Sequence, residues 1–204
     1  MLRRVTVRLS VAVTLLTMPV AVGASGDRPN VRVREVEKGY VIEAQFVVEA
    51  PALVVRRVLT DYEQIPKYMP GVRRSVVLER GEGHLRVEQE AVSRYMLFSK
   101  TVHVVLDVRE AGDDLITFRD ECGRSFARYE GSWRITEQDG RTVLAYQLTA
   151  QPAFAVPSFL VGRVLGRDAD DMITHLRAEI VRRAQATARE EARHDIHQPH
   201  PGAD

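Results

Sequence analysis

The residues with the plainest chemical capacity are few and scattered along the chain. His194, His197 and His200 recur every third position, a spacing that can present imidazoles to a metal ion. They lie in a Pro-containing tail with no cysteine beside them, so adventitious metal affinity is expected there and not a structural site. Cys122 is the single cysteine. It excludes an intramolecular disulfide, and its place beside Gly123 in a turn reads as an incidental thiol more readily than as a nucleophile. His103 falls on the polar side of its strand, where a general base has nothing to act on. Asp168, Asp170 and Asp171 are expected to turn to different sides of a helix as solvated charges. Arg56-Arg57, Arg73-Arg74 and Arg182-Arg183 are scattered pairs that fit a solvated surface better than an anion site. No nucleophile elbow, phosphate loop, zinc-ligand pair or dinucleotide fingerprint occurs. The expectation is therefore no fixed catalytic residue, no metal site and no cofactor.

Other residues suit binding. Tyr129, Trp133 and Tyr146 belong to the inward faces of neighbouring strands. They are either core aromatics with satisfied polar tips or a cavity wall whose hydroxyls orient a ligand. Gln89 is an uncharged polar residue in an apolar row, able to anchor a headgroup or to bond to a neighbour. The wall expected for a ligand comprises Val87, Gln89, Ala91, Leu106, Tyr129, Trp133, Tyr146, Leu148, Phe159, Leu165, Met172 and Ile173. Tyr95-Met96-Leu97-Phe98 either continues a buried hairpin or forms a tip at the cavity mouth that touches a membrane. Phe154, Val156, Phe159, Leu160 and Val161, bracketed by Pro152, Pro157, Gly162 and Gly166, form either a packed loop or a gate.

Strands and helices must bring these residues together. Period-two alternation marks a strand over residues 40–48, with residues 31–36 a short extra strand turning at Lys38-Gly39. Pro51 suits the first turn of a helix carrying Leu53, Val54, Val58 and Leu59. A second short helix follows over 61–68 with Asp61 as its cap. Six strands are expected over 72–79, 85–93, 101–109, 115–120, 125–137 and 142–151. Ala127, Tyr129, Gly131, Trp133 and Ile135 share the inner face of the fifth. Asp139-Gly140 marks the hairpin turn after it. From Ser158 to about Ala192 the period is helical, with Leu165, Ala169, Met172, Ile173, Leu176 and Ile180 as one apolar stripe. Strands with one apolar face need a cover, and the long helix is the only one on offer.

Composition sets outer bounds. With 45% hydrophobic and 28% charged residues in 204, the chain is globular, of single-domain size. The 29 basic and 28 acidic residues nearly balance, and three basic ones sit in the leader. A slightly acidic remainder is a poor nucleic-acid binder. Arg3, Arg4 and Arg8 precede an apolar run to Val22 and the small residues Gly23 and Ala24, the three parts of a secretory signal. The run is short for a membrane span and holds Pro19, so a cleaved leader is favoured over an N-terminal membrane anchor. The organisation read from this is a signal peptide over 1–24, a linker or short extra strand over 25–38, a ligand-binding domain over 39–192 and a disordered tail over 193–204. The expected compartment is periplasmic or extracellular.

At this point the chain resembles the START-like (SRPBCC) superfamily, in its polyketide cyclase/dehydrase and coenzyme Q-binding branch. The resemblance spans residues 41–183. It rests on Val58-Leu59-Thr60-Asp61-Tyr62-Glu63, Tyr68-Met69-Pro70-Gly71-Val72 and Ser75, on Tyr129-Glu130-Gly131-Ser132-Trp133, on Pro157 and on Arg177-Ala178-Glu179-Ile180. It implies an α+β helix-grip fold, a curved antiparallel sheet wrapped around a long C-terminal helix with two short helices after the first strand. It also implies a cavity for lipids, quinones, polyketides or sterol-like molecules, with no shared catalytic motif. The leader sets this chain apart from intracellular coenzyme Q-binding members. The favoured reading is a monomeric binder or carrier of a hydrophobic small molecule or lipid, with transient membrane contact and no nucleic-acid partner. The alternatives are a cyclase/aromatase acting on a polyketide-like chain in the same cavity, or an interaction module filled by its own side chains.

Overall fold

The computed structural model describes residues 29–95, 98–154 and 158–197, with the backbone alone at 94, 95, 98, 158, 159 and 195–197. The elements run β1 (Asn30–Val36), β2 (Gly39–Val48), α1 (Ala52–Thr60), a 3-10 turn (Tyr62–Gln64), α2 (Ile65–Tyr68), then β3 (Val72–Gly81), β4 (His84–Tyr95), β5 (Phe98–Ala111), β6 (Leu115–Asp120), β7 (Phe126–Gln138), β8 (Arg141–Pro152) and α3 (Ser158–His197). Eight antiparallel strands form one sheet in the order β1-β2-β8-β7-β6-β5-β4-β3. This is the helix-grip architecture. Every neighbouring pair but one is a sequential hairpin; the exception joins β2 to β8, with Ile42 opposite Leu148. The segment from α1 to α2 carries the chain from β2 to the far edge of the sheet.

The alternation read from the sequence is realised strand by strand. Ile42, Ala44, Phe46 and Val48 are buried while Glu43, Gln45 and Glu49 are exposed. On α3, Ala169, Ile173, Leu176 and Ile180 are buried at helical spacing against this face. Withdrawing Ile173, Leu176 and Ile180 from water contributes about 1.5–3 kcal/mol each, so the helix is held by its stripe.

Several expectations are corrected. A register shift between Phe126 and Arg128 places Phe126 inside and leaves Ala127 exposed, because the bulge re-phases the strand. In α1 the inward residue is Val55, while Leu53 is 59% exposed, since the buried face is centred on Val54, Val55, Val58 and Leu59. Asp61 makes no capping bond, and the segment after it is a 3-10 turn running into α2. Its carboxylate instead accepts from Arg183 Nη1 at 2.7 Å. Helix α3 continues to His197, past the expected end near Ala192. The leader, Met96, Leu97, Val156, Pro157 and His200 lie outside the described residues.

Candidate functional site

The inner face of the sheet carries a continuous row of aromatic rings. Phe126 and Tyr129 have centroids 4.7 Å apart, Tyr129 and Phe118 6.0 Å, Phe118 and Tyr146 6.4 Å, and Tyr146 and Trp133 4.4 Å. Phe46 closes the row, edge-on to Trp133 at 6.4 Å. Gly131 makes the row fit: a Cβ there would lie 2.6 Å from Phe118 Cζ and against the Gln147 carbonyl. The missing side chain is the berth for the Phe118 ring.

Burial divides this face. Val87, Leu106, Trp133, Tyr146, Leu148 and Ile173 are buried and belong to the packed core. Gln89, Ala91, Tyr129, Leu165 and Met172 are only half-buried, as are Phe118 and Val102 beside them. The side chain of Phe159 lies outside the described residues. The half-buried set comes from the inward rows of β4–β7 and of the first half of α3. Tyr129 is half-buried, and burial pushes its hydroxyl up to about 12.

Polar groups punctuate this wall. Burial raises the Tyr146 hydroxyl well above its ordinary value, and the Tyr129 and Tyr146 hydroxyls act on one another. Gln89 Nε2 donates to Ser75 Oγ at 3.1 Å. Ser93 Oγ donates to Asp168 Oδ2 at 2.6 Å, bridging β4 to α3. Burial holds the Asp168 carboxyl above its usual range, ahead of the opposing effect of the Ser93 bond. Asp168 also acts electrostatically on Tyr129. The expectation that Asp168 points into solvent is thus overturned; only Asp170 and Asp171 do so. The missed signal was spacing, since Asp168 lies three residues after Leu165 and four before Met172, on the same helical row. Both phenols stay neutral at ordinary pH, so this stretch of wall offers hydrogen bonds and one carboxyl.

Other candidates lie elsewhere. His103 is on the outer face, with Nε2 3.0 Å from Glu88 Oε1 and Nδ1 3.7 Å from Cys122 Sγ. The His103 bond, followed by that from Arg74, holds the Glu88 carboxyl below its usual range. A hollow of about 430 Å³ is lined by the outward-facing Asp107, Arg109, Arg119, Glu130 and Gln147, with Phe118 and Gly131 at its floor. Charges of both signs make it unsuited to an apolar guest. Gly162 and Gly166, which bracket the segment read as a packed loop or a gate, lie against Tyr40 and Val33, and a Cβ on Gly166 would stand 3.3 Å from Val33. They bring α3 close to β1.

Residues 48–177 match the family described as polyketide cyclase / dehydrase and lipid transport. The chain belongs to this family. Among solved structures, a STAR-related lipid transfer protein from Xanthomonas axonopodis is similar at 20% identity and a TM-score of 0.62, covering 78% of this chain and 96% of its own. Human STARD10 is similar at 15% identity and a TM-score of 0.64, covering 89% and 82%. The Zhui aromatase/cyclase from Streptomyces sp. R1128 is similar at 21% identity and a TM-score of 0.58, covering 74% and 96%. Among curated proteins, none matches the sequence. At these identities the likeness establishes the fold. In this polyketide cyclase/dehydrase and lipid transport family member, Tyr129, Tyr146, Ser93 and Asp168 are the polar groups on that stretch of wall.

Proposed function

We propose that the protein binds and carries an apolar small molecule or lipid in the gap between the inner face of β4–β7 and α3. The observation that carries this reading is the half-buried set of Ala91, Phe118, Tyr129, Leu165 and Met172 on the facing rows of β4–β7 and α3, where the rest of the same contact is buried. There Phe118, Val102, Leu165 and Met172 keep apolar surface that an apolar guest would cover, at ~25 cal/mol per Å². The carrier acts as a monomer, outside the cytoplasm after loss of residues 1–24, and loads by transient membrane contact. Native mass spectrometry of protein purified from its host is expected to show a co-purified lipid. Uptake of the neutral dye N-phenyl-1-naphthylamine is expected to be blocked by Ala91→Trp. Protein that purifies empty and takes up no dye would overturn the proposal.

A second reading, cyclisation of a polyketide-like chain, draws on one observation. Asp168 and the Tyr129–Tyr146 pair place groups able to accept or donate a proton on the same stretch of wall. Cyclised product from a soluble poly-β-ketone mimic, formed by the protein and not by Asp168→Asn, would favour it over carriage alone.

A further inference from the structure

A carboxyl group in a gap lined by apolar side chains is an unusual choice for a general lipid carrier. Asp168 stands on the inner row of α3 between Leu165 and Met172, one turn from each, and both are packed against the core cluster. Ser93 Oγ, from across the gap on β4, is its donor at Oδ2, 2.6 Å away. Among the described residues, the groups that bear on it are Ser93 of β4, Tyr129 of β7 and its helix neighbours Arg167 and Asp171. Arg167 Nε lies 3.6 Å from Asp171 Oδ2 on the exposed side of the helix, outside the gap. No cation from the sheet is paired with Asp168 in any described contact, whereas farther along the same helix Glu179 is clasped by both Arg182 and Arg183. The two inward carboxyls of α3 are therefore treated differently. One is neutralised by guanidinium groups; the other is left as an acceptor bonded by a hydroxyl.

We infer that Asp168 selects the guest by its polar end, so that the gap admits an apolar molecule ending in a hydrogen-bond donor, an alcohol or an amine, and rejects one ending in a carboxylate. The inference rests on the carrier reading above and narrows it. A donor end can bond to Asp168, while a carboxylate end meets a like charge in a poorly solvated place where repulsion is weakly screened.

The test displaces N-phenyl-1-naphthylamine from the full chain at pH 7.5 with dodecanol, dodecylamine and dodecanoate, which share one alkyl chain and differ at one end. Dodecanol and dodecylamine are expected to compete at least tenfold more strongly than dodecanoate. Asp168→Asn keeps the shape and an acceptor for Ser93 but removes the charge; it is expected to bring dodecanoate within about threefold of dodecanol and to weaken dodecylamine. Ser93→Ala, which leaves the carboxyl in place, is expected to keep the discrimination, and so controls for a variant that merely perturbs the fold. Equal competition by dodecanoate and dodecanol in the unaltered protein would overturn the inference while leaving carriage intact. Discrimination that survives in Asp168→Asn would also overturn it. Failure of the dye and all three ligands to bind would overturn carriage and the inference together.

Discussion

The two ends of the contact between α3 and the sheet are built on different terms. Near α1, Val55, Val58, Leu176 and Ile180 are buried together with Phe46, Ile135 and Leu144. Thr142 Oγ1, itself buried, donates to the Ala50 carbonyl at 2.6 Å and ties β8 to the chain just before α1. A clasp then pins the helix: Arg183 joins Glu179, at 2.6 Å, to Asp61, at 2.7 Å. Toward the start of α3 the facing residues are Tyr129, Phe118, Gln89, Ala91, Leu165 and Met172, all half-buried, with a carboxyl among them. The same helix and sheet are thus buried throughout at one end and only half-buried at many facing positions of the other. Fully buried contacts are thus concentrated at the α1 end, and the proposed binding face lies at the other.

That contrast can be broken or sharpened by mutation. The largest effect is expected from Leu176→Ala at the buried end, a loss of about 3–4 kcal/mol as the cavity fails to collapse. Denaturant unfolding measures it directly. Gly131→Ala comes next, because its methyl would overlap Phe118 on the aromatic row; a cost of roughly 2 kcal/mol is expected in the same measurement.

Glu179→Gln follows. The bond from Arg182, then that from Arg183, holds the Glu179 carboxyl at about 2, well below its ordinary value. A carboxyl depressed on folding adds stability above its unfolded pKa and loses it as pH falls through the folded one. This contribution, on the order of 1–2 kcal/mol at pH 7, should be complete above about pH 4.5 and fade toward pH 2. In Glu179→Gln the fall in urea midpoint over that window should be shallower. An unchanged acid limb would remove the clasp from the account. The smallest effect is expected from Met172→Ala, under about 1 kcal/mol, with a several-fold change in dye affinity. Should Met172→Ala cost as much as Leu176→Ala, the two ends are packed alike and the contrast disappears.

Much of the buried end was legible in the sequence. The alternation of β2 and β8, the Asp139-Gly140 turn and the stripe through Ile173, Leu176 and Ile180 each follow from a repeat imposed by local geometry. What escaped depended on breaks in that repeat or on distant partners. The bulge at Phe126 shifts one strand by a residue, and nothing local announces it. Asp61 was read as a cap because its partner Arg183 is remote in sequence. Asp168 was set aside by charge, although its spacing from Leu165 and Met172 placed it inward. Half-burial, which separates the gap from the core, is a property of the assembled sheet and has no signature in any one strand.

The pairing of β2 with β8 has a consequence for how the molecule forms. Tyr40 finds its partner at Ala150, so the sheet cannot be completed until nearly three quarters of the polypeptide is available. The meander from β3 to β7 needs only hairpins, which close quickly, whereas this seam requires a long excursion and is slow to find. Until β8 arrives, β2 and β7 each present an unpaired edge, the kind of surface on which strands from another molecule can add. A chain interrupted ahead of Arg141 would keep both edges open, and self-association is the expected fate of such a fragment.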